Sequence, residues 1–513
     1  MRRFNVTGLC VSDKHYMADI SQKISKIEKM VDYGQYITIN RPRQYGKTTT
    51  LNTLANTLRG KYIIIKTSFE GVSDDMFLSE ENFCGMIFDV FADSVEFIDP
   101  GLSDVLKKCG KDSNNFNDLS RAITDLIRKT NKDVVLIIDE VDKSSNSRVF
   151  LKFLGLLRNK YLARNSGEDI TFKSVILSGV HDIKNLKLAI RDESSVRFNS
   201  PWNISAKFKV DLSFSSEEIK SMLLDYSEET GIKFNTSLIA DEIYKFTNGY
   251  PYLVSDICLI IDEDLDKNWT LSGVYDAIKQ ILKEKNTLFE DVIKNIENNE
   301  DLKAIVFDIL VEGMTINYNP DSYEKGIMYG IFTEKEGDLI IHNKIFEERI
   351  YNYLIEQRNI RRMVAAFIST DQSQSIDKNR LNMEKVLLKF QEFMFQEYRK
   401  QDERFYETNG RLIFLAYLKP LINGRGFSFV EAQTRQNKRM DVVITSGQDK
   451  FVVELKIWNG KKYEEKGLKQ LVEYLNFQNL DKGYMIVFNL NTDKQYTSGW
   501  TQVDDKEIFE VMV

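Results

Sequence analysis

Two groups of residues in this 513-residue sequence combine types and spacings that suit phosphate chemistry. Near the C-terminal end, Asp441 is followed by Glu454 and Lys456 in the spacing D-x(12)-E-x-K. Paired carboxylates hold one or two Mg2+ ions, or Mn2+ in their place, which polarise a phosphate and lower the pKa of a bound water. A lysine beside them orients that water or stabilises developing charge. Near the N-terminal end, Arg43-Gln44-Tyr45-Gly46-Lys47-Thr48-Thr49 has the ending of a phosphate-binding loop, G-x-x-x-x-G-K-[ST], with Arg41 at the place of the first glycine. Such a loop wraps backbone N–H groups around phosphates at a helix N-terminus. Gly46 permits the close approach, Lys47 reaches the β- and γ-phosphates, and the Thr48 hydroxyl faces Mg2+. A basic turn is the ordinary alternative.

The elements around the loop favour the phosphate reading. "QYITIN" (35–40), "YIIIKTSF" (62–69), "DVVLIIDE" (133–140) and "FKSVILSG" (172–179) are short β-branched apolar runs, suited to strands buried on both faces. Helical patterns lie between them, at 48–60 and 118–129, which predicts a parallel sheet wrapped by helices. The third run ends in Asp139-Glu140. Carboxylates at the end of a buried strand are costly unless they meet a cation. Asp139 suits the Mg2+ shell, and Glu140 the polarising of an attacking water. The fourth run ends in Ser178, a polar residue placed to sense a γ-phosphate; a plain strand end is the alternative. Arg191 and Arg197 are candidate trans-acting fingers.

The second group can be tested by register. If residues 447–450 form a four-residue hairpin loop, Asp441 pairs with Lys456 and Val443 with Glu454. Alternation then sets Asp441, Glu454 and Lys456 on one face, with Val442, Ile444, Val453 and Leu455 on the other. Strands are expected at 427–433, 440–446, 451–457 and 484–490, with helices at 382–400 and 465–476. The last helix carries Gln470 and Tyr474. Glu431 and Glu392 are candidates for a further acid.

Composition bounds the rest. Apolar residues make up 42% and charged ones 29%, with a net charge of −7, so basic surface must be local. Residues 357–440 hold 16 Lys/Arg against 9 Asp/Glu, which suits a phosphate backbone as well as a solvated helix face. Aromatics at 488–500 suit base stacking or, more simply, packing. The four cysteines are dispersed and only three histidines exist, so no zinc site is expected and a reducing, cytoplasmic setting is. The opening residues lack the apolar core of a signal peptide, and no run is long enough to span a membrane. The pattern divides into 1–212, an α/β nucleotide-binding core; 213–290, a helical lid with a capping box at Ser215 and Glu218; 291–357, a winged-helix-like unit; 358–384, a linker; and 385–513, a second α/β domain.

"TINRPRQYGKTTTL", "VVLIIDEVD", "SPWNI" and "TNGYPYLVSDIC" together resemble the bacterial AAA-ATPase-like family, whose loops often read R-P-R-x-x-G-K-[ST] and so also lack the first glycine. The segment "GYPYLVS" looks like the lid of the related STAND-like ATPases. The C-terminal stretch resembles the PD-(D/E)XK nuclease superfamily, in the branch fused to such an ATPase. That resemblance assigns the family's aspartate to Asp441, its Glu-x-Lys to Glu454 and Lys456, and its helix glutamine to Gln470. It leaves the upstream acid open between Glu431 and Glu392. Met440 stands where the family has proline.

The implied fold is a P-loop NTPase sheet with a helical lid and winged-helix-like unit, followed by a restriction-endonuclease-like domain. The implied function is ATP hydrolysis whose nucleotide state gates metal-dependent cleavage of nucleic acid, DNA foremost, in defence against mobile elements. The ATPase part implies a homo-oligomer. The alternative is a STAND-like regulatory switch whose C-terminal domain only binds nucleic acid or a protein partner.

Overall fold

The computed structural model describes all residues except 1, 112, 145–146, 181–201, 313, 321, 358–375, 378–379, 398–402, 423–425, 433–439, 447–448, 459–466, 470, 474, 477–479, 490 and 492–493. The chain divides into two compact units. One comprises Met1–Ala240, Gly249–Leu259 and Met328–Gly330, the other Asp241–Asn248, Ile260–Ile327 and Ile331–Val513. Among the described residues, no helix is long and apolar enough to cross a membrane.

The first unit is built on four strands: β1 (Ile37–Asn40), β2 (Ile63–Ser68), β3 (Val134–Asp139) and β4 (Ser174–Gly179). They pair in the order β1-β4-β3-β2, every pair parallel. All six residues of β3 and of β4 are buried, as the unbroken β-branched runs require of strands covered on both faces. Beyond β1, Ala206 makes a single parallel bridge to Ile37. Helices α1 (Ser21–Asp32), α2 (Lys47–Leu58), α3 (Glu80–Val95), α4 (Pro100–Gly110), α5 (Phe116–Lys129) and α6 (Arg148–Ser166) flank the sheet order in sequence. Phe83, Phe88 and Phe91 of α3 join Phe150 and Phe153 of α6 in one apolar core with β3 and β4. Helix α7 (Ser216–Thr230) opens with the expected capping box, Ser215 and Glu218 bonding each other's backbone, and ends at left-handed Gly231, φ 76°.

Helices α8 (Thr236–Thr247), α9 (Pro251–Glu263) and α10 (Leu271–Lys283) follow. In the second unit come α11 (Thr287–Glu297), α12 (Glu300–Phe307), α13 (Glu324–Met328) and α14 (Lys344–Gln357), with a small sheet of β5 (Ile316–Asn317), β6 (Phe332–Lys335) and β7 (Asp338–Ile341) in the order β5-β7-β6. A minimal pair, β8 (Ile376–Asp377) with β9 (Arg380–Leu381), precedes α15 (Met383–Glu397) and α16 (Glu403–Ile422). The last sheet contains β10 (Gly426–Ala432), β11 (Met440–Ser446), β12 (Asp449–Ile457), β13 (Lys482–Phe488), β14 (Ser498–Val503) and β15 (Lys506–Met512), ordered β10-β11-β12-β13-β15-β14. Its first three strands are antiparallel, and β13 joins β12 and β15 in parallel.

Helix α16, β14 and β15 go beyond the sequence expectation. Residues Leu412–Leu418 are all buried, so α16 is apolar all round there and shows no amphipathic period to read. Its polar groups are spent inside the unit. Arg411 Nη1 donates to the carbonyls of Leu310 (3.1 Å) and Val311 (2.6 Å), and the Tyr351 hydroxyl donates to the same Leu310 oxygen at 2.6 Å. Lys419 pairs with Glu348 at 3.3 Å and donates to Asn352.

Candidate nucleotide and metal sites

Strand β1 delivers the chain into a loop, residues 41–46, that feeds α2 directly. Gln44 (φ 55°) and Gly46 (φ 75°) are left-handed. Such residues turn N–H groups into an anion-binding concavity. Arg41 is not left-handed, so the first-glycine position needs no glycine here. Nor does its side chain stand in open solvent. It donates to the carbonyls of Asn40 and Val210, each at 2.8 Å, and its guanidinium lies 5.3 Å from the Phe208 ring. Helix α2 has no acidic residue in its first turn, which leaves its positive end to an anion.

Lys47 is 5% exposed. Its Nζ donates to the loop's own carbonyls, Arg41 O at 3.1 Å and Pro42 O at 3.0 Å. Burial pulls its pKa down, opposed by the charges of Glu140, Asp139 and Asp142. The Thr48 hydroxyl donates to Asp139 Oδ2 at 2.7 Å, across 91 residues of sequence. Asp139 Oδ1 accepts the Glu140 N–H at 3.0 Å. A hydroxyl and a carboxylate in contact are hard oxygen donors, so this pair fits Mg2+. Glu140 is half-buried with φ 53°, a strained backbone for a glutamate. Burial pushes its pKa up, which Lys47 opposes and Asp139, Asp142 and Glu70 reinforce. Ser178 is fully buried and, among the described residues, its Oγ has no hydrogen-bond partner. Of the remaining loop residues, Arg43 and Gln44 are exposed, and Thr49 accepts the Cys10 N–H at 3.3 Å. Tyr45 is buried, its ring edge-on to Tyr250 at 4.9 Å. Arg191 and Arg197 lie outside the described residues.

The motif Gly249-Tyr250-Pro251 meets this loop, a role the sequence reading did not assign. The Tyr250 hydroxyl donates to Arg43 O at 2.6 Å. Pro251 stands 3.7 Å from where a Cβ on Gly46 would lie. Gly249 (φ 70°) is required, since a Cβ there would fall 1.8 Å from the Phe214 carbonyl oxygen. Beside the loop a cavity of about 360 Å3 opens, lined by Val6, Tyr16, Met17, Leu212, Phe214 and Tyr252 and reaching Gly46 and Thr49. The residues before α1 form its wall. Arg2 fastens them with hydrogen bonds to Asp225 (2.6 and 2.7 Å) and Glu229 (2.7 Å) on α7.

The C-terminal residues sit on regular strands. Glu431 of β10 pairs with Asp441 of β11, and Asp441 pairs with Glu454 of β12. Directly opposed positions share a face, and Lys456 lies two residues along on that same face. The expected register is corrected by two residues: Asp441 opposes Glu454 rather than Lys456, and Val443 opposes Val452 rather than Glu454. Ser446 pairs with Asp449, which leaves two residues between the strands, the commonest hairpin spacing, instead of four. A shift of two preserves the face of every residue. Val442 and Ile444 remain on the core side, opposite Val453 and Phe451.

Glu454 is 1% exposed and forms an ion pair with Lys456 Nζ at 3.0 Å. A Cβ on Gly467 would stand 3.1 Å from Lys456 Cε, so the lysine stem runs close along the start of the next helix. Residues 467–469, 471–473 and 475–476 are helical; Gln470 and Tyr474 lie outside the described residues. Glu392 is exposed on α15 and accepts from Gln396 at 3.0 Å. Backbone register therefore aligns Glu431, and not Glu392, with the acidic pair. Carboxylates on adjacent strands with a lysine fit a hard divalent ion. Among the described residues, no group of three or more His, Cys, Asp or Glu side chains gathers as a metal site. Of the aromatics near the end, Tyr496 lies edge-on to Phe395, and Trp500, though 41% exposed, contacts Phe509 with its Nε1 donating to Glu384.

No curated protein matches the chain. Among solved structures, the chain is similar to a Walker-type ATPase of Pyrococcus abyssi, at 14% identity and TM-score 0.45 over 68% of this chain and 99% of that one. It is also similar to the Aeropyrum pernix ORC1 protein in complex with DNA, at 11% identity and TM-score 0.31 over 68% and 94%. The model of the PD-(D/E)XK nuclease superfamily matches residues 426–498, the stretch that carries Glu431, Asp441, Glu454 and Lys456. The model of the AAA-like domain matches residues 9–352, and the chain belongs to that family, with a PD-(D/E)XK nuclease superfamily domain at its C-terminal end.

Proposed function

We propose that the chain hydrolyses ATP at the loop of residues 41–49 and cleaves nucleic acid, DNA foremost, at the face of Glu431, Asp441, Glu454 and Lys456. The observation that carries the first half is the 2.7 Å contact between Thr48 and Asp139, made beside buried Lys47 at the helix N-terminus. The ion pair of Lys456 with buried Glu454, in register with two further acids, supports the second. The domain division at 212, 290, 357 and 384 belongs to this proposal.

The phosphates lie against the N–H groups of residues 43–48, and Lys47 exchanges its two loop carbonyls for phosphate oxygens. The base and sugar enter the apolar cavity beside Gly46, whose size suits a small ligand. Thr48 and Asp139 hold Mg2+ there, while Asp441, Glu454 and Glu431 hold Mg2+ or Mn2+ at the nuclease face. Bound at either place, such a cation neutralises phosphate oxygens and eases deprotonation of water. Glu140 takes the proton of the attacking water, and its raised pKa makes it the stronger base. Ser178 offers its hydroxyl to the terminal phosphate, which relieves an unpaired buried group. At the nuclease face, Lys456 orients the attacking water or stabilises the charge that develops, with Gln470 as an auxiliary.

Nucleotide state at the first site gates cutting at the second. Support is the joining of both domains in one chain, where an uncontrolled nuclease would damage its own host. The same consideration supports a role in defence against mobile elements and assembly through the ATPase part. A supercoiled-plasmid nicking assay with Mg2+ or Mn2+, with and without ATP, tests the reading. Wild type cuts and Glu454→Ala does not. Binding without cutting by the wild type would favour the regulatory-switch alternative.

A further inference from the structure

The acidic turn after β3 carries a third carboxylate, Asp142, whose part so far is only its charge beside Lys47 and Glu140. It lies in the single turn Val141–Ser144. Its Oδ2 accepts the Val180 N–H at 2.5 Å. Both its oxygens press on Gly179, where a Cβ would stand 2.8 Å from each. Gly179 is not left-handed, so its backbone does not demand glycine; the neighbouring carboxylate does. From the other side, the Gly179 carbonyl accepts the N–H of Arg41, first residue of the phosphate loop, at 3.2 Å. The end of β4 is thus held between the phosphate loop and the acidic turn. Ser178, whose buried hydroxyl has no partner among the described residues, is the residue immediately before that junction.

We propose that Asp142 is a positioning residue for ATP hydrolysis, clamping residues 178–180 so that the Ser178 hydroxyl meets the terminal phosphate while Glu140 meets the water. This rests on the nucleotide reading above. A carboxylate accepting a backbone N–H is a strong, charge-assisted tether. Its loss leaves the phosphate loop and the base cavity in place, so ground-state binding persists. What changes is the placement of a group that acts on the transition state, which affects kcat and not KM.

The test uses the full chain with Mg2+ and ATP. Asp142→Ala is expected to lower kcat by about 10- to 100-fold. KM and the affinity for a fluorescent ADP analogue stay close to wild type. Asp142→Asn, which keeps one acceptor, recovers much of the loss. Gly179→Ala, whose methyl meets the carboxylate, also lowers kcat, and adds nothing in the Asp142→Ala background. If Asp142→Ala does not fold, Asp142→Asn and Gly179→Ala carry the same comparison of kcat with binding. Wild-type kcat in Asp142→Ala overturns the proposal. So does an equal loss of kcat and affinity, or full additivity of the two substitutions. Wild type that hydrolyses beside an unaffected Asp142→Ala sinks this inference alone. Wild type that neither binds nor hydrolyses nucleotide sinks the nucleotide reading and this inference together.

Discussion

The two proposed phosphate centres are built by opposite means. The N-terminal one gathers groups from strand ends and a loop: Thr48 meets Asp139 only because β1 and β3 lie in one parallel sheet with β4 between them. The C-terminal one lies on the face of paired strands, where Glu431, Asp441 and Glu454 are neighbours by register alone. The first therefore depends on left-handed backbone at Gln44, Glu140 and Gly46 and on an outside support, Tyr250. The second depends on pleat and packing. A loop-built site tolerates little change in its supports, whereas a strand-built site fails mainly through its own side chains.

Substitutions can break this comparison, and the largest effects should fall on the strand face. Glu454→Ala and Lys456→Ala should each reduce nicking by at least about 100-fold, with the strand face otherwise folded. Residual cutting above about a tenth of wild type would remove them from the chemistry. At the loop-built site, Glu140→Gln should lower ATP turnover by about 100-fold or more, the scale of general-base loss. Its kcat should also fall in acid through a pKa above the ordinary glutamate range, because burial disfavours the charged form. The stability effect has the opposite sense. A carboxyl whose folded pKa is raised contributes stability below its unfolded pKa and loses it as pH rises through the folded value. Glu140→Gln should therefore raise Tm at neutral pH and leave it unchanged in acid. A lowered neutral Tm would contradict the burial argument.

Supports come next. Gly249→Ala forces a side chain into the Phe214 carbonyl at a left-handed position and should cost about 1–3 kcal/mol, read from denaturant midpoints. Tyr250→Phe removes one hydroxyl from the Arg43 carbonyl and should cost about 1 kcal/mol. It should also weaken nucleotide binding a few-fold while leaving nicking without nucleotide unchanged. An equal effect of Tyr250→Phe on basal nicking would erase the distinction drawn here.

Legibility in the sequence differed along the same line. Strands β3 and β4 were readable because they are covered on both faces and so show unbroken apolar runs, whereas β2, expected to be buried likewise, lies at the sheet edge with only Ile65 buried. The acids at the end of β3 stood out against that background. What Tyr250 touches was not readable, since its partner at Arg43 is 207 residues away. At the nuclease hairpin, alternation identified the face while the register was displaced by two, because period-two patterning is blind to even shifts. Helix α16 was missed for a related reason: Leu412–Leu418 is apolar on every side, and a run of that length reads equally as strand. Asp142 carries no such signal in the sequence; only its contacts with Val180 and Gly179 distinguish it from an exposed acid.

The central claim is that both centres act on phosphate and that the first controls the second. Nicking of supercoiled plasmid by the full chain, measured with Mg2+ and with or without ATP, for wild type, Glu454→Ala and Lys47→Ala in parallel, addresses it most directly. Wild type should cut in a nucleotide-dependent manner, Glu454→Ala should not cut, and Lys47→Ala should cut at a rate that ATP no longer changes. Equal cutting by wild type and Glu454→Ala, or an ATP response preserved in Lys47→Ala, would contradict it.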